Sequence, residues 1–203
     1  SSPMYLEENP QVLSTSHTVR TAVSVWDCSL MLAKFVEKHA ALFQGSVVLE
    51  LGSGQGVVGI AAAMCGAKNV LLSDIGPALA SIQNNIALNH VEDKARGVEV
   101  DWFKAQLHLD RLPPADIILA ADVVWVEELI EPFVDALSYA FKMAQRNTGT
   151  HPHAYLCHKT RSHHADSLLL EGLARKGLSV ELVGVEEHDP IWRSSELTLW
   201  RGG

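Results

Sequence analysis

Long apolar runs are scarce in this chain, and the longest, at positions 57–67, falls well short of the roughly 20 residues that a membrane-crossing helix needs. Nothing at the start reads as a leader peptide, so neither a membrane nor secretion is expected. Cysteine is sparse: Cys28, Cys65 and Cys157 are three, an odd number, widely spaced and without a C-x-x-C pair. That excludes a disulfide framework and points to reduced thiols in a cytoplasmic or nuclear protein. Positive charge is also short. Lys and Arg number 16 against 24 Asp and Glu, a formal net charge of -8, which leaves no phosphate-neutralising surface and argues against a nucleic-acid partner. Internal repeats, low-complexity tracts and a convincing linker are lacking too, so one domain is expected.

What is present suits a globular chain. The 203 residues are 47% hydrophobic and 20% charged, and a chain of this size buries roughly 70% of its unfolded surface. Residues 1–25 are polar and interrupted by Pro3 and Pro10, which reads as an N-terminal arm lying over a domain at 26–203. Within that domain, helical periodicity at 27–39 precedes a short apolar strand at 47–51. Strands at 69–73, 98–100, 116–121 and 154–158 then alternate with helices at 56–65, 77–89, 127–145 and 164–176. Two last strands, at 179–185 and 196–201, have no helix between them and are expected as an antiparallel hairpin at one edge. The fold class is therefore α/β: a Rossmann-like, mostly parallel sheet of seven strands with an antiparallel last strand and helices on both faces.

In such a sheet, ligands sit beyond the carboxyl ends of the central strands. The loop after the first strand reads Glu50-Leu51-Gly52-Ser53-Gly54-Gln55-Gly56. From Gly54 it also satisfies G-x-G-x-x-G through Gly56 and Gly59, and Asp74 ends the second strand where a ribose-binding acid belongs, so by spacing alone a nicotinamide dinucleotide is admissible. The charge of Glu50 favours S-adenosylmethionine instead. A carboxylate there repels a pyrophosphate but favours an ammonium and a sulfonium, while Gly52 and Gly54 let the backbone come close to a ligand. Small residues for helix-on-strand packing account for Gly59, and Gly56 is open to the same reading.

Four segments carry a resemblance: Val25-Trp26-Asp27, the run from Val48 to Gly54, Asp101-Trp102, and the run from Ala120 to Glu128. In order and spacing they are similar to the methyltransferase family 16 group of seven-strand, class I protein lysine methyltransferases, from Val25 to the C-terminus. The resemblance implies S-adenosyl-L-methionine as cofactor, held by Trp26, Glu50, Gly52, Ser53, Gly54, Asp74, Trp102 and Ala121. It implies transfer at Asp122 and Trp125. The family's substrate motif is Asp-x-x-Tyr, and here it reads Asp122-Val123-Val124-Trp125; an indole can wall a channel and attract an ammonium through its face, but it has no phenolic oxygen.

The function expected on these grounds is methyl transfer to a lysine amine of a protein substrate, by a monomer. Two alternatives stay open: a small-molecule methyltransferase, and a non-catalytic protein that binds the cofactor for interaction. Asp122 is expected to orient the amine. His151, His153, His158, His163 and His164 have no regular ligand spacing, so no metal is expected; the segment His158-Lys159-Thr160-Arg161 is expected instead to lead to a polar rim.

Overall fold

Val47–Leu51 carries apolar side chains on both sides of an extended backbone, and in the computed structural model it is β1, at the middle of the sheet. The structure describes residues 3–7 and 24–203. Before β1 come α1 (Asp27–Lys38) and a short α2 (Ala40–Phe43); after it come α3 (Val57–Met64), β2 (Asn69–Asp74), α4 (Leu79–Leu88) and β3 (Ala95–Glu99). The second half runs α5 (Ala105–Leu109), β4 (Ile117–Ala121), α6 (Ile130–Thr148), β5 (His153–Lys159), α7 (His163–Arg175), β6 (Val180–Leu182) and β7 (Leu197–Gly202). Single 3-10 turns at Gly76–Ala78, Trp102–Lys104 and Glu127–Leu129 lead into α4, α5 and α6.

The seven strands lie in the order β3-β2-β1-β4-β5-β7-β6. β1 pairs in parallel with β2 and with β4, and β7 pairs antiparallel with both β5 and β6. The expected fold class is the one observed. The hairpin differs in one respect: β7 enters between β5 and β6, so the outermost strand is β6. Burial explains the order, since Leu197 and Leu199 of β7 pack into one face and Trp200 into the other, whereas Leu182 of β6 is 68% exposed. β3 begins at Ala95, before its apolar residues, because an edge strand can carry Arg96 and Glu99 toward water.

Successive residues of each strand feed opposite layers. On one face Val48, Val70 and Leu72 meet Leu32 and Phe35 of α1, Ile60 of α3 and Ile82 of α4. On the other, Leu49, Leu51 and Leu71 meet Leu109 of α5, Phe133 and Leu137 of α6 and Leu173 of α7. Each such side chain contributes about 1.5 to 3 kcal/mol on burial. α3 is buried from Val57 to Ala63, which matches a helix that is apolar all round.

Of the arm expected over 1–25, residues 1–2 and 8–23 lie outside the described residues. Residues 3–7 lie against α4: the Tyr5 amide donates to Asn89 Oδ1 (2.8 Å), Asn89 Nδ2 donates back to the Tyr5 carbonyl (2.6 Å), and the Glu7 amide donates to Asn85 Oδ1 (2.8 Å).

Candidate active site

The chain must turn from β1 into α3 within a few residues, and Gly52, Gly54 and Gly56 take φ values of +71°, +54° and +82° to do it. Only glycine adopts these freely. Space is as restrictive as conformation at Gly52, where a Cβ would come within 2.8 Å of Val123 Cγ1 and 3.1 Å of the Trp102 ring. At Gly56 and Gly59 a Cβ would meet Leu72 at 2.7 Å, so these two serve the packing of α3 on β2. The loop is tied to the end of β2. The amides of Gly52 and Ser53 both donate to the Ser73 carbonyl (2.9 Å each), and the Gly54 amide donates to Asp74 Oδ2 (2.8 Å).

Beyond the carboxyl ends of β1, β2 and β4 lies a cavity of about 290 Å³. Of the residues expected at the site, Trp26, Gly52, Ser53, Gly54, Asp74, Trp102, Ala121, Asp122 and Trp125 all line it. Trp26 stands at the start of α1 and is 41% exposed. Trp102 is held edge-on against Phe133, with ring centroids 5.4 Å apart. Asp74 uses one oxygen for the Gly54 amide and the other for the Ile75 amide (2.8 Å each); each oxygen keeps a further lone pair for a ligand hydroxyl. Burial raises the pKa of Asp74, against the pull of these two bonds.

Glu50 is the correction. Its carboxyl is 2% exposed, is absent from the cavity wall and accepts the Gly59 amide at 2.9 Å. The side chain at position 50 alternates to the α3 face of β1, and α3 covers it. Burial pushes its pKa up to about 8, opposed by the Gly59 and Ser53 hydrogen bonds. Burial thus disfavours its charged form, and Glu50 stands behind the cavity wall rather than on it.

Selection among ligands passes to residues on the wall. Asp74, Asp101 and Asp122 line the cavity, and among its described lining residues the one cationic side chain is Arg161. Arg161 is already engaged: Nη1 donates to Asp122 Oδ1 (2.6 Å) and Nη2 to Oδ2 (2.7 Å). Asp122 itself has φ +56°, a left-handed backbone that Asp tolerates better than most residues. Its amide donates to the Cys157 carbonyl at 2.8 Å, and its side chain is 4% exposed. Beneath it, Cys157 of β5 meets Cys28 of α1, and this contact and burial raise the Cys157 pKa well above that of a free thiol.

Arg161, expected only in a segment leading to a polar rim, is one site residue whose pairing with Asp122 the sequence did not single out. It falls in the polar segment after β5, but only the pairing of β4 with β5, Ala121 opposite Cys157, brings that segment beside Asp122. Gln55 is a second: it lines the cavity, and its carbonyl and side-chain oxygen both accept from Asn85 Nδ2 (3.0 and 3.1 Å). Among the described residues, no group of three or more His, Cys, Asp and Glu is placed to hold a metal, and no helix is long and apolar enough to cross a membrane.

The residues present fit S-adenosylmethionine. A glycine cradle allows close approach, Asp74 offers acceptors at a ribose position, indoles supply flat apolar walls, and acids suit a cationic ligand better than a pyrophosphate. Fold and site together define a Rossmann-like methyltransferase domain of class I. A TehB-like S-adenosylmethionine-dependent methyltransferase from Corynebacterium glutamicum shares the fold, with a TM-score of 0.61 at 22% identity over 88% of each chain. The chain belongs to the lysine methyltransferase family, whose profile matches residues 8–176. It is 36% identical to the zebrafish (Danio rerio) protein N-lysine methyltransferase METTL21A over 58% of this chain and 55% of that one. Mouse (Mus musculus) EEF1A lysine methyltransferase 3 is 31% identical over 82% of this chain and 68% of its own length. Mouse histone-arginine methyltransferase METTL23 is 33% identical over 68% of this chain and 52% of its own. The chain thus spans little more than half the length of the first of these relatives.

Proposed function

We propose that this protein is an S-adenosylmethionine-dependent methyltransferase that modifies a side-chain amine of a protein, with lysine as the acceptor. The observation that carries the reading is the continuity of one cavity from the glycine loop and Asp74 to the turn Asp122-Val123-Val124-Trp125. Family membership and the lysine methyltransferases among its relatives support it. S-adenosylmethionine, when bound, supplies a methyl group already activated on a sulfonium. What remains for the chain is to align the acceptor and exclude water, and orientation of that kind is worth about 7 to 11 kcal/mol of barrier.

In this reading Trp26 and Trp102 flank the cofactor, Gly52, Ser53, Gly54 and Ala121 give it backbone contact, and Asp74 accepts from its ribose hydroxyls. Trp125 walls the acceptor channel and attracts a cationic side chain through its ring face. Asp122 orients the acceptor. A monomeric protein of the cytoplasm or nucleus belongs to the same proposal, supported by the unpaired thiols and the acidic charge.

A second reading, arginine as acceptor, is favoured by Trp125 in the place of the family Tyr, because a flat guanidinium stacks well on an indole. METTL23 is named for that activity. The two separate by experiment: the protein is incubated with a cell extract and methyl-labelled cofactor, and the labelled protein is hydrolysed to amino acids. Methyl-lysine is expected. Methyl-arginine would transfer the assignment to the second reading, and no labelled protein would overturn both. Asp122→Asn, which keeps a residue at home at positive φ, is expected to retain cofactor affinity and lose transfer by about 100-fold, the scale of a misaligned acceptor.

A further inference from the structure

The side chain expected to orient the acceptor is not a free carboxylate. Both oxygens of Asp122 are taken by the two terminal nitrogens of Arg161, at 2.6 and 2.7 Å, in the planar fork that makes guanidinium-carboxylate pairs strong and directional. The pair faces the cavity, with Asp122 4% and Arg161 35% exposed. A bare carboxylate beside a lysine would hold it as an ammonium, which has no lone pair to attack with. A carboxylate already offset by a guanidinium does not.

We propose that Arg161 is a positioning residue of the transfer reaction: it fixes Asp122 in its left-handed conformation and offsets its charge, so that an acceptor amine enters deprotonated. This rests on the amine-acceptor reading above. The ammonium releases its proton to solvent water, and its lone pair then forms the bond to the methyl carbon as the carbon-sulfur bond breaks and its electron pair stays with sulfur. Displacement of Arg161 by the incoming ammonium is the less favourable route, because a single point charge would have to replace a two-pronged, half-buried pair.

The neighbouring charges leave this arrangement in place. Lys159, at the end of β5, is drawn to Glu196 (3.0 Å) and also feels Asp27 of α1. Cys28 of α1 and Cys157 of β5 lie beside the pair, and contact with Cys28 together with burial raises the Cys157 pKa. Asp74 and Asp101 stand on the cavity wall, with Asp74 occupied by backbone amides.

The test compares wild type with Arg161→Met and Arg161→Lys, following methyl incorporation into protein across pH. The acid limb of kcat, which reports ionisations in the enzyme-substrate complex, is expected to move up by about one unit or more in Arg161→Met, the shift a newly exposed neighbouring charge produces, and to return toward the wild-type position in Arg161→Lys. A uniform loss with the limb unmoved would overturn the electrostatic role. Thermal melting reads the fixing role without turnover: Arg161→Met should melt several degrees below wild type, and Asp122→Asn combined with Arg161→Met should regain most of the loss. Equal melting of all forms would overturn that role. If wild type labels no protein amine, the amine reading fails and the protonation half falls with it, while the melting series still decides the other half.

Discussion

Glu50 shows what one buried group does to stability. Its acid, with a pKa near 8 in the fold against an ordinary value of 4.5, keeps a proton that the unfolded chain releases. Between those two values the folded state binds more protons than the unfolded state, so stability falls as pH rises through the window, by at most about 1.4 kcal/mol per pH unit. Glu50→Gln removes the titration and keeps an oxygen for the Gly59 amide. The melting temperature of wild type should therefore decline from pH 5 to 8 more steeply than that of Glu50→Gln, measured in the same buffers; parallel curves would contradict the assignment. The site residues on β1, β2 and β4 were legible at this scale because a glycine loop and an acid at a strand end have a local cause. The direction of the Glu50 side chain was not, since a strand places position 50 on whichever face its register dictates and only the packing of α3 decides what covers that face.

At the scale of elements, the glycine loop is held from behind by α4. Asn85, fully buried, donates to the Gln55 carbonyl and to Gln55 Oε1 and accepts the Glu7 amide, so the segment 3–7, α4 and the loop form one chain of bonds ending at the cavity wall. Asn85→Ala should lose about 1 to 3 kcal/mol, the penalty for buried groups left without their partner, and should speed hydrogen exchange at the amides of Gly54 and Gly56. Deleting residues 1–7 removes the outer bonds of Tyr5 and Glu7 together with the packing of Met4 and Leu6 on the core and should leave those amides protected. Equal exchange in both variants would mean that the loop is held by β2 alone. Sequence periodicity located α4 and β2 but not this link, because an Asn on an otherwise apolar helix is silent about its partner. The short α2 and α5 escaped for a related reason: helices of one turn carry too few residues to show a period.

For the whole molecule, the crossing of the chain from β3 to β4 on the far side of β1 opens the crevice in which the cavity lies. A ligand that binds only the folded state adds about 2.7 kcal/mol at a concentration 100 times its Kd, and a domain of this size gains about 2 to 4 °C per kcal/mol. S-adenosylhomocysteine at that level should raise the melting temperature by about 5 to 10 °C, and NAD should not; the reverse ranking would reject the methyltransferase reading. The order of secondary structure, the parallel sheet and the cofactor loop are determined by the sequence itself, because apolar spacing and positive-φ glycines act locally and leave their pattern in the residues. The pairing of Arg161 with Asp122, the inward place of β7 and the burial of Glu50 were decided only by the tertiary structure. Each depends on which strands become neighbours and which helix covers them, and that follows from burying two apolar layers at once rather than from any short stretch of chain.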